Sequence, residues 1–279
     1  MAAADAVLWR DLDRAALTRA YDNSGAVRDS AALVAGWRSR SAAFREGKAG
    51  QTLAYGPGPR QAVDLYRCGT AGAPCLAFVH GGYWQRNARE DFTCMAEGPL
   101  ALGLDVALVG YTLAPEARLT WIAGEIGAAL RLLRRTIGPS RLVVAGWSAG
   151  GHLATLMTTL AADTVDAALA VSGLFDLEPI AGTALNDALH LTQAEVAELS
   201  PIRRLALGGP PVSVIYGEAE LPELRRQSED YHAARRALGL DGDLHTVPGA
   251  DHFRVLDALT APDGRIAREA ARLAGLGHA

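Results

Sequence analysis

The sequence predicts an α/β protein whose central sheet is mostly parallel and carries helices on both faces. Three observations lead there. Short runs, mostly apolar at their centres, at 75–80, 105–110, 141–145, 167–172, 212–216 and 243–247 alternate with segments long enough for helices, such as 121–135 and 153–161. Such apolar runs read as strands buried on both faces, and strands separated by helices imply βαβ units. The 279 residues, 49% of them hydrophobic, suffice to bury a core of that size.

The elements follow in order. An N-terminal helical segment is expected over 1–47, because Leu33, Val34, Trp37 and Phe44 recur at helical spacing between residues 29 and 45. A hairpin-like region comes next, with 52–55 and 62–66 flanking Gly56-Pro57-Gly58-Pro59. The parallel strands begin at 75. The long stretch between two strands, about 174–205, carries Asn186, Asp187 and His190. It is expected to form a small helical cap over the strand ends and to supply specificity. No repeat, low-complexity tract or linker interrupts the chain, so a single domain over 1–279 is expected.

Charge and cysteine content exclude several classes. The formal net charge is −4, from 27 basic and 31 acidic residues. That balance gives no electrostatic reason to expect a nucleic-acid or membrane-surface partner. Cys68, Cys75 and Cys94 are odd in number and stand at no metal-ligand spacing, which fits a reducing compartment. The first residues reach Asp5 without a leader pattern. No window approaches the roughly 18 uncharged apolar residues of a membrane span. A cytoplasmic protein acting on a small molecule is the expectation, with a homodimer left open.

In a parallel sheet, ligands bind beyond the carboxyl ends of the strands. There, Gly146-Trp147-Ser148-Ala149-Gly150-Gly151 follows one strand and precedes a helical run. This is G-x-S-x-G in its strand–turn–helix setting. The turn is so tight that side chains at the flanking positions would collide with neighbouring backbone, and the serine is held strained. Ser148 is the expected nucleophile. His80-Gly81-Gly82-Tyr83-Trp84 follows the strand at 75–79. Glycines there let successive N–H groups face one point. The amides of Gly82 and Tyr83, with that of Ala149, are therefore the expected oxyanion hole. Gly81 shapes the loop and His80 organises it by hydrogen bonding.

A serine nucleophile needs a histidine base, and the base needs a carboxylate, in the chain order Ser, acid, His for this type of turn. Seven histidines compete. His278 stands in the tail, His190 and His232 in helix-like stretches, and His245 in a strand pattern. His152 follows the turn too closely. His252, in Pro248-Gly249-Ala250-Asp251-His252-Phe253 just after the last strand, is the expected base. The acid should follow the strand 212–216, where Glu218, Glu220 and Glu223 stand. Glu220 fits the loop spacing best, Glu218 is the fallback, and Glu223 begins the next helix behind Pro222. Tyr83 and Trp84 offer faces on which an aromatic substrate can stack, worth about 0.5–1.5 kcal/mol beyond burial. Phe175 and Phe253 are further wall residues. Trp147 either lines the site or packs beneath the turn, with packing the favoured reading.

These motifs resemble the hormone-sensitive-lipase-like branch of the α/β-hydrolase fold, and more closely the bacterial kynurenine formamidases (arylformamidases) and their esterase relatives. The likeness extends over nearly the whole chain. It includes Tyr21-Asp22-Asn23-Ser24 with Ala26-Val27, HGGYWQ at 80–85, YTLAPEARL at 111–119 and SGLFDLEPI at 172–180. Leu185-Asn186-Asp187-Ala188-Leu189, Ser200-Pro201, Arg226-Gln227-Ser228 and GADHF at 249–253 complete it. The resemblance implies a serine hydrolase that removes an N-formyl or acyl group from an aromatic amine through an acyl-enzyme on Ser148. N-formylkynurenine is the type substrate, and no metal or organic cofactor is implied. A general short-chain carboxylesterase with the same triad is the alternative. A receptor built on a dead hydrolase would be expected to lack the nucleophile or the base, and both are present. One departure is Trp147, where many relatives carry histidine.

Overall fold

A computed structural model describes residues 9–277. The absence of a leader and the placing of His278 in a tail fall on residues 1–8 and 278–279, outside the described residues. The strands are β1 (Gln51–Ala54), β2 (Ala62–Tyr66), β3 (Cys75–Val79), β4 (Asp105–Val109), β5 (Leu142–Trp147), β6 (Ala167–Val171), β7 (Val212–Gly217) and β8 (Leu244–Val247). Among the described residues they form one sheet in the order β1-β2-β4-β3-β5-β6-β7-β8. β1 pairs antiparallel with β2, and β2 with β4. All other pairings are parallel, so the predicted mostly parallel sheet is present. The hairpin-like region is β1–β2, with Leu53 opposite Val63.

β3 to β7 are buried along their whole length, because helices cover both faces. Alternation along each strand divides the core in two. In β3, Cys75, Ala77 and Val79 face one side, against Ile126 and Leu130 of the helix Leu119–Ile137 and Leu153 of the helix Ala149–Leu160. Leu76 and Phe78 face the other, against Trp37 of the helix Ser30–Gly47 and Ile266 of the helix Arg265–Leu273. Each fully buried Leu, Ile or Phe contributes about 1.5–3 kcal/mol. Leu119–Ile137 ends on Gly138 at φ 52°, with Arg134 and Arg135 in its last turn. A left-handed glycine and terminal cations are what stop a helix there.

Between β6 and β7 lie the short helices Glu178–Ala181, Asn186–Leu189 and Gln193–Leu199. They are tied to the N-terminal helix Arg14–Ala20: the Ala184 amide donates to the Thr18 hydroxyl at 3.0 Å, and Arg14 pairs with Asp187 at 2.6 Å. Among the described residues no helix is long and apolar enough to cross a membrane.

Candidate active site

β5 carries the chain to Trp147 at the carboxyl edge of the sheet, and the helix Ala149–Leu160 starts directly after Ser148. Ser148 has φ 57° and ψ −118°. Such a conformation costs a residue with a side chain about 1–3 kcal/mol. The Ser148 amide is held by the Val171 carbonyl at 2.8 Å. A Cβ at Gly146 would stand 2.1 Å from the Gly150 carbonyl oxygen, and one at Gly150 would stand 2.0 Å from that of Val79. Only hydrogen fits at either place. The second contact presses the turn against the end of β3, where the neighbouring loop begins.

In that loop Gly82, Tyr83 and Trp84 have φ of 118°, 51° and 58°. The strain is held by hydrogen bonds. The Gln85 and Arg86 amides donate to the Gly82 carbonyl at 3.0 and 3.1 Å, and Asn87 Nδ2 donates to that of Gly81 at 3.0 Å. The Gly82 and Tyr83 amides make no hydrogen bond to any described residue. The Ala149 amide, at the first position of its helix, has no intrahelical acceptor. All three are open to an external acceptor. His80 Nδ1 donates to the Gly81 carbonyl at 2.9 Å, and its ring stacks on Tyr111 at 4.3 Å. Burial pulls its pKa down to about 4.

His252 follows β8 and Glu220 follows β7. His252 Nδ1 lies 2.9 Å from Glu220 Oε2, and both residues are buried. The other Glu220 oxygen accepts from the Ser172 hydroxyl at 2.5 Å and the Gly217 amide at 2.6 Å. Ser172, at φ 51°, is a residue that sequence reasoning missed. Its one signal was its place at the carboxyl end of a predicted strand. Glu218 instead accepts from the Gly249 amide at 3.0 Å, bracing the loop that carries His252. Glu223 lies in the first turn of the helix Pro222–Ala237, where it accepts from the Tyr21 hydroxyl at 3.0 Å. His152 Nε2 donates to the Leu199 carbonyl at 2.7 Å, and burial lowers its pKa to about 4.

Ser148 and His252 line one cavity of about 90 Å³. Gly82, Tyr83, Trp147 and Phe253 line it with them, and the N-terminal segment adds Asn23, Ser24 and Val34. No hydrogen bond joins the Ser148 hydroxyl to the His252 ring among the described residues. Such bonds are often long in unliganded sites and tighten on binding. The Tyr83 hydroxyl donates to the Tyr21 carbonyl at 2.6 Å and accepts from Asn23 Nδ2 at 3.1 Å. Gln227 Nε2 donates to the Tyr21 hydroxyl at 2.8 Å, and its Oε1 accepts from the Phe175 and Asp176 amides at 2.6 and 2.8 Å. Segments near residues 21, 175 and 227 thus meet behind the cavity.

Three expectations are corrected. Trp84 is not on the cavity wall: its indole is fully buried, edge-on to His152 with ring centres 5.0 Å apart. Phe175 is in the core, stacked on Tyr231 at 4.3 Å. The stretch 174–205 contributes no residue to this cavity, and the N-terminal segment supplies that wall instead. Trp147 both packs and lines. It lies edge-on to Trp37 at 5.4 Å, and its Nε1 donates to the His252 carbonyl at 2.8 Å. Elsewhere, Asp243, His245 and Glu269 gather metal-ligand atoms within 4.8 Å of one another. Arg272 pairs with Asp243 at 2.9 Å and Glu269 at 2.6 Å, so a guanidinium already supplies the positive charge there.

A family model described as alpha/beta hydrolase fold matches residues 76–255. Kynurenine formamidase from Salmo salar is 31% identical over 280 aligned positions, covering 91% of this chain and 94% of that protein. Kynurenine formamidase from Danio rerio is 27% identical, covering 74% of this chain and 75% of that protein. A crystal structure from Silicibacter sp. TM1040, described as a candidate thioesterase, superposes with a TM-score of 0.83 at 26% identity, over 91% of this chain and 98% of that one. The strained turn after β5, the mostly parallel sheet and these similarities together establish that the chain belongs to the α/β-hydrolase family, near the kynurenine formamidases, and is a hydrolase.

Proposed function

We propose that Ser148, His252 and Glu220 act as nucleophile, base and acid, and that the protein removes N-formyl or short acyl groups from aromatic amines. N-formylkynurenine is the type substrate. The observation that carries the reading is the buried Glu220–His252 bond opening on the same small cavity as the strained Ser148. At about 90 Å³ that cavity is well below the roughly 300–1,000 Å³ of common ligand sites, which favours the smallest acyl groups.

The Ser148 hydroxyl attacks the formyl carbon while His252 Nε2 takes its proton. Charge on the carbonyl oxygen is met by the Gly82, Tyr83 and Ala149 amides. Glu220 holds the Nδ1–H tautomer and stabilises the imidazolium. The C–N bond breaks as His252 returns the proton to nitrogen, releasing the arylamine. Water, giving its proton to His252, then attacks the Ser148 formyl ester; the ester bond breaks as His252 passes that proton to the Ser148 oxygen, releasing formic acid, which ionises to formate. Tyr83 and Trp147 present aromatic surface to the leaving ring. The same groups would cleave short esters, the reading that the thioesterase-like relative keeps open. The near-balanced net charge of −4 and the free cysteines support reading it as a cytoplasmic protein that acts on a small molecule.

The test is a kinetic panel of N-formylkynurenine, formanilide, p-nitrophenyl acetate and p-nitrophenyl butyrate on the natural protein and Ser148→Ala. The variant should lose about 10⁴-fold or more in kcat with an unchanged circular dichroism spectrum. Retained turnover would remove the nucleophile. Turnover of the nitrophenyl esters with no cleavage of either formamide would make the protein an esterase.

A further inference from the structure

We propose that Arg86 is the residue that anchors the anionic end of the aryl formamide, and so sets this protein's preference for a charged substrate over its neutral counterpart. This deepens the hydrolase reading above and rests on it. Of the residues lining the Ser148 cavity, Arg86 is the one arginine, and no lysine, aspartate or glutamate joins it. Its neighbours in sequence and space have engaged side chains: Arg89 pairs with Asp64 at 2.9 Å, and Arg60 Nη1 donates to the Asn87 carbonyl at 2.9 Å. The Arg86 side chain is exposed and makes no ion pair or hydrogen bond among the described residues.

Its backbone is fixed relative to the chemistry. The Arg86 amide bonds the Gly82 carbonyl at 3.1 Å, so the residue closes the same loop that points the Gly82 and Tyr83 amides outward. Its charge reaches the cavity wall. Burial pushes the Tyr83 phenol upward in pKa, and the Arg86 guanidinium acts against that push. A cavity of about 90 Å³ holds the acyl group and little more. The aryl side chain must therefore extend past the rim, where Arg86 stands. A guanidinium there matches a carboxylate with two parallel N–H···O bonds.

The experiment compares 4-(2-formamidophenyl)-4-oxobutanoate with its neutral primary amide, following release of the arylamine, in the natural protein, Arg86→Gln and Arg86→Lys. The natural protein should prefer the acid in kcat/KM by about three- to tenfold, the range for a partly exposed charged contact. Arg86→Gln should erase that preference, mainly through KM, and Arg86→Lys should keep part of it. Added salt should weaken it in the natural protein. Equal rates on acid and amide in the natural protein, or an undiminished preference in Arg86→Gln, would overturn the proposal while leaving formamide hydrolysis intact. Phenyl acetate and 3-acetoxybenzoate run alongside. Turnover of these esters with no formamide cleavage would sink the formamidase reading. An Arg86-dependent preference for the benzoate would then still support the anchor.

Discussion

The two walls of the Ser148 cavity are built on different principles. One is made from strand ends and the loops that follow them, and backbone sterics fix it over a few residues. Gly146 and Gly150 admit no side chain, and Ser148, Tyr83 and Ser172 hold positive φ inside tight hydrogen-bonded turns. The other wall is Asn23, Ser24 and Val34, brought from far away in sequence and held by side chains. Tyr83 bonds Asn23 and the Tyr21 carbonyl, and Gln227 bonds the Tyr21 hydroxyl. The first wall carries the reactive groups. The second shapes what reaches them, and its hydrogen bonds to the Tyr83 hydroxyl tie it to the first.

Substitutions can break this contrast, beginning with the largest effect. On the strand-end wall, Glu220→Gln should cost about 10³–10⁴-fold in kcat, because the base loses its orienting partner. Glu218→Gln should stay within about threefold, a surface change with little energetic weight. Steady-state kinetics on one formanilide decides, and the reverse ranking would move the acid to Glu218.

The second wall should respond in binding and stability. Gln227→Ala leaves the Phe175 and Asp176 amides without acceptors. It should cost about 2–3 kcal/mol in urea unfolding and raise KM more than it lowers kcat. Unchanged stability and KM would show that the network does not hold the wall.

Smallest for a single group and a single pH unit is a pH dependence. His80 and His152 sit near pKa 4 in the fold against an ordinary 6.5. Below pH 6.5 the unfolded chain takes up protons that the folded chain refuses. Stability is therefore full above 6.5 and falls as pH drops towards 4, by about 1 kcal/mol per pH unit for each ring. Urea unfolding between pH 7 and 5 should show the slope, and His152→Gln should remove about one proton from it. An identical slope in the variant would mean that His152 does not contribute.

The strand limits were legible because buried strands need unbroken apolar runs, and the runs at 75–80 and 167–172 end within a residue of β3 and β6. Ser148 and its glycines were legible for a steric reason that needs only local sequence. The orientation of Trp84 was not. Strand alternation gives no guidance once Gly82, Tyr83 and Trp84 all take positive φ, and the indole turns into the core. The choice between Glu220 and Glu218 facing His252 depends on how the Gly217–Glu220 turn closes, which spacing suggests without fixing. The wall from the N-terminal segment was hidden because Tyr21 and Gln227 lie 206 positions apart. A motif shows that a glutamine is present, not that it grips a tyrosine across the molecule.

Trp147 has a mechanical consequence. Its indole N–H grips the main chain of His252, 105 positions away, while its own carbonyl carbon is bonded to the nitrogen of Ser148. Moving the His252 main chain outward must first break that bond, which is anchored at the end of the nucleophile's strand. A strut of this kind ties two distant stretches of polypeptide, so the backbones that carry the hydroxyl and the ring are held to one spacing.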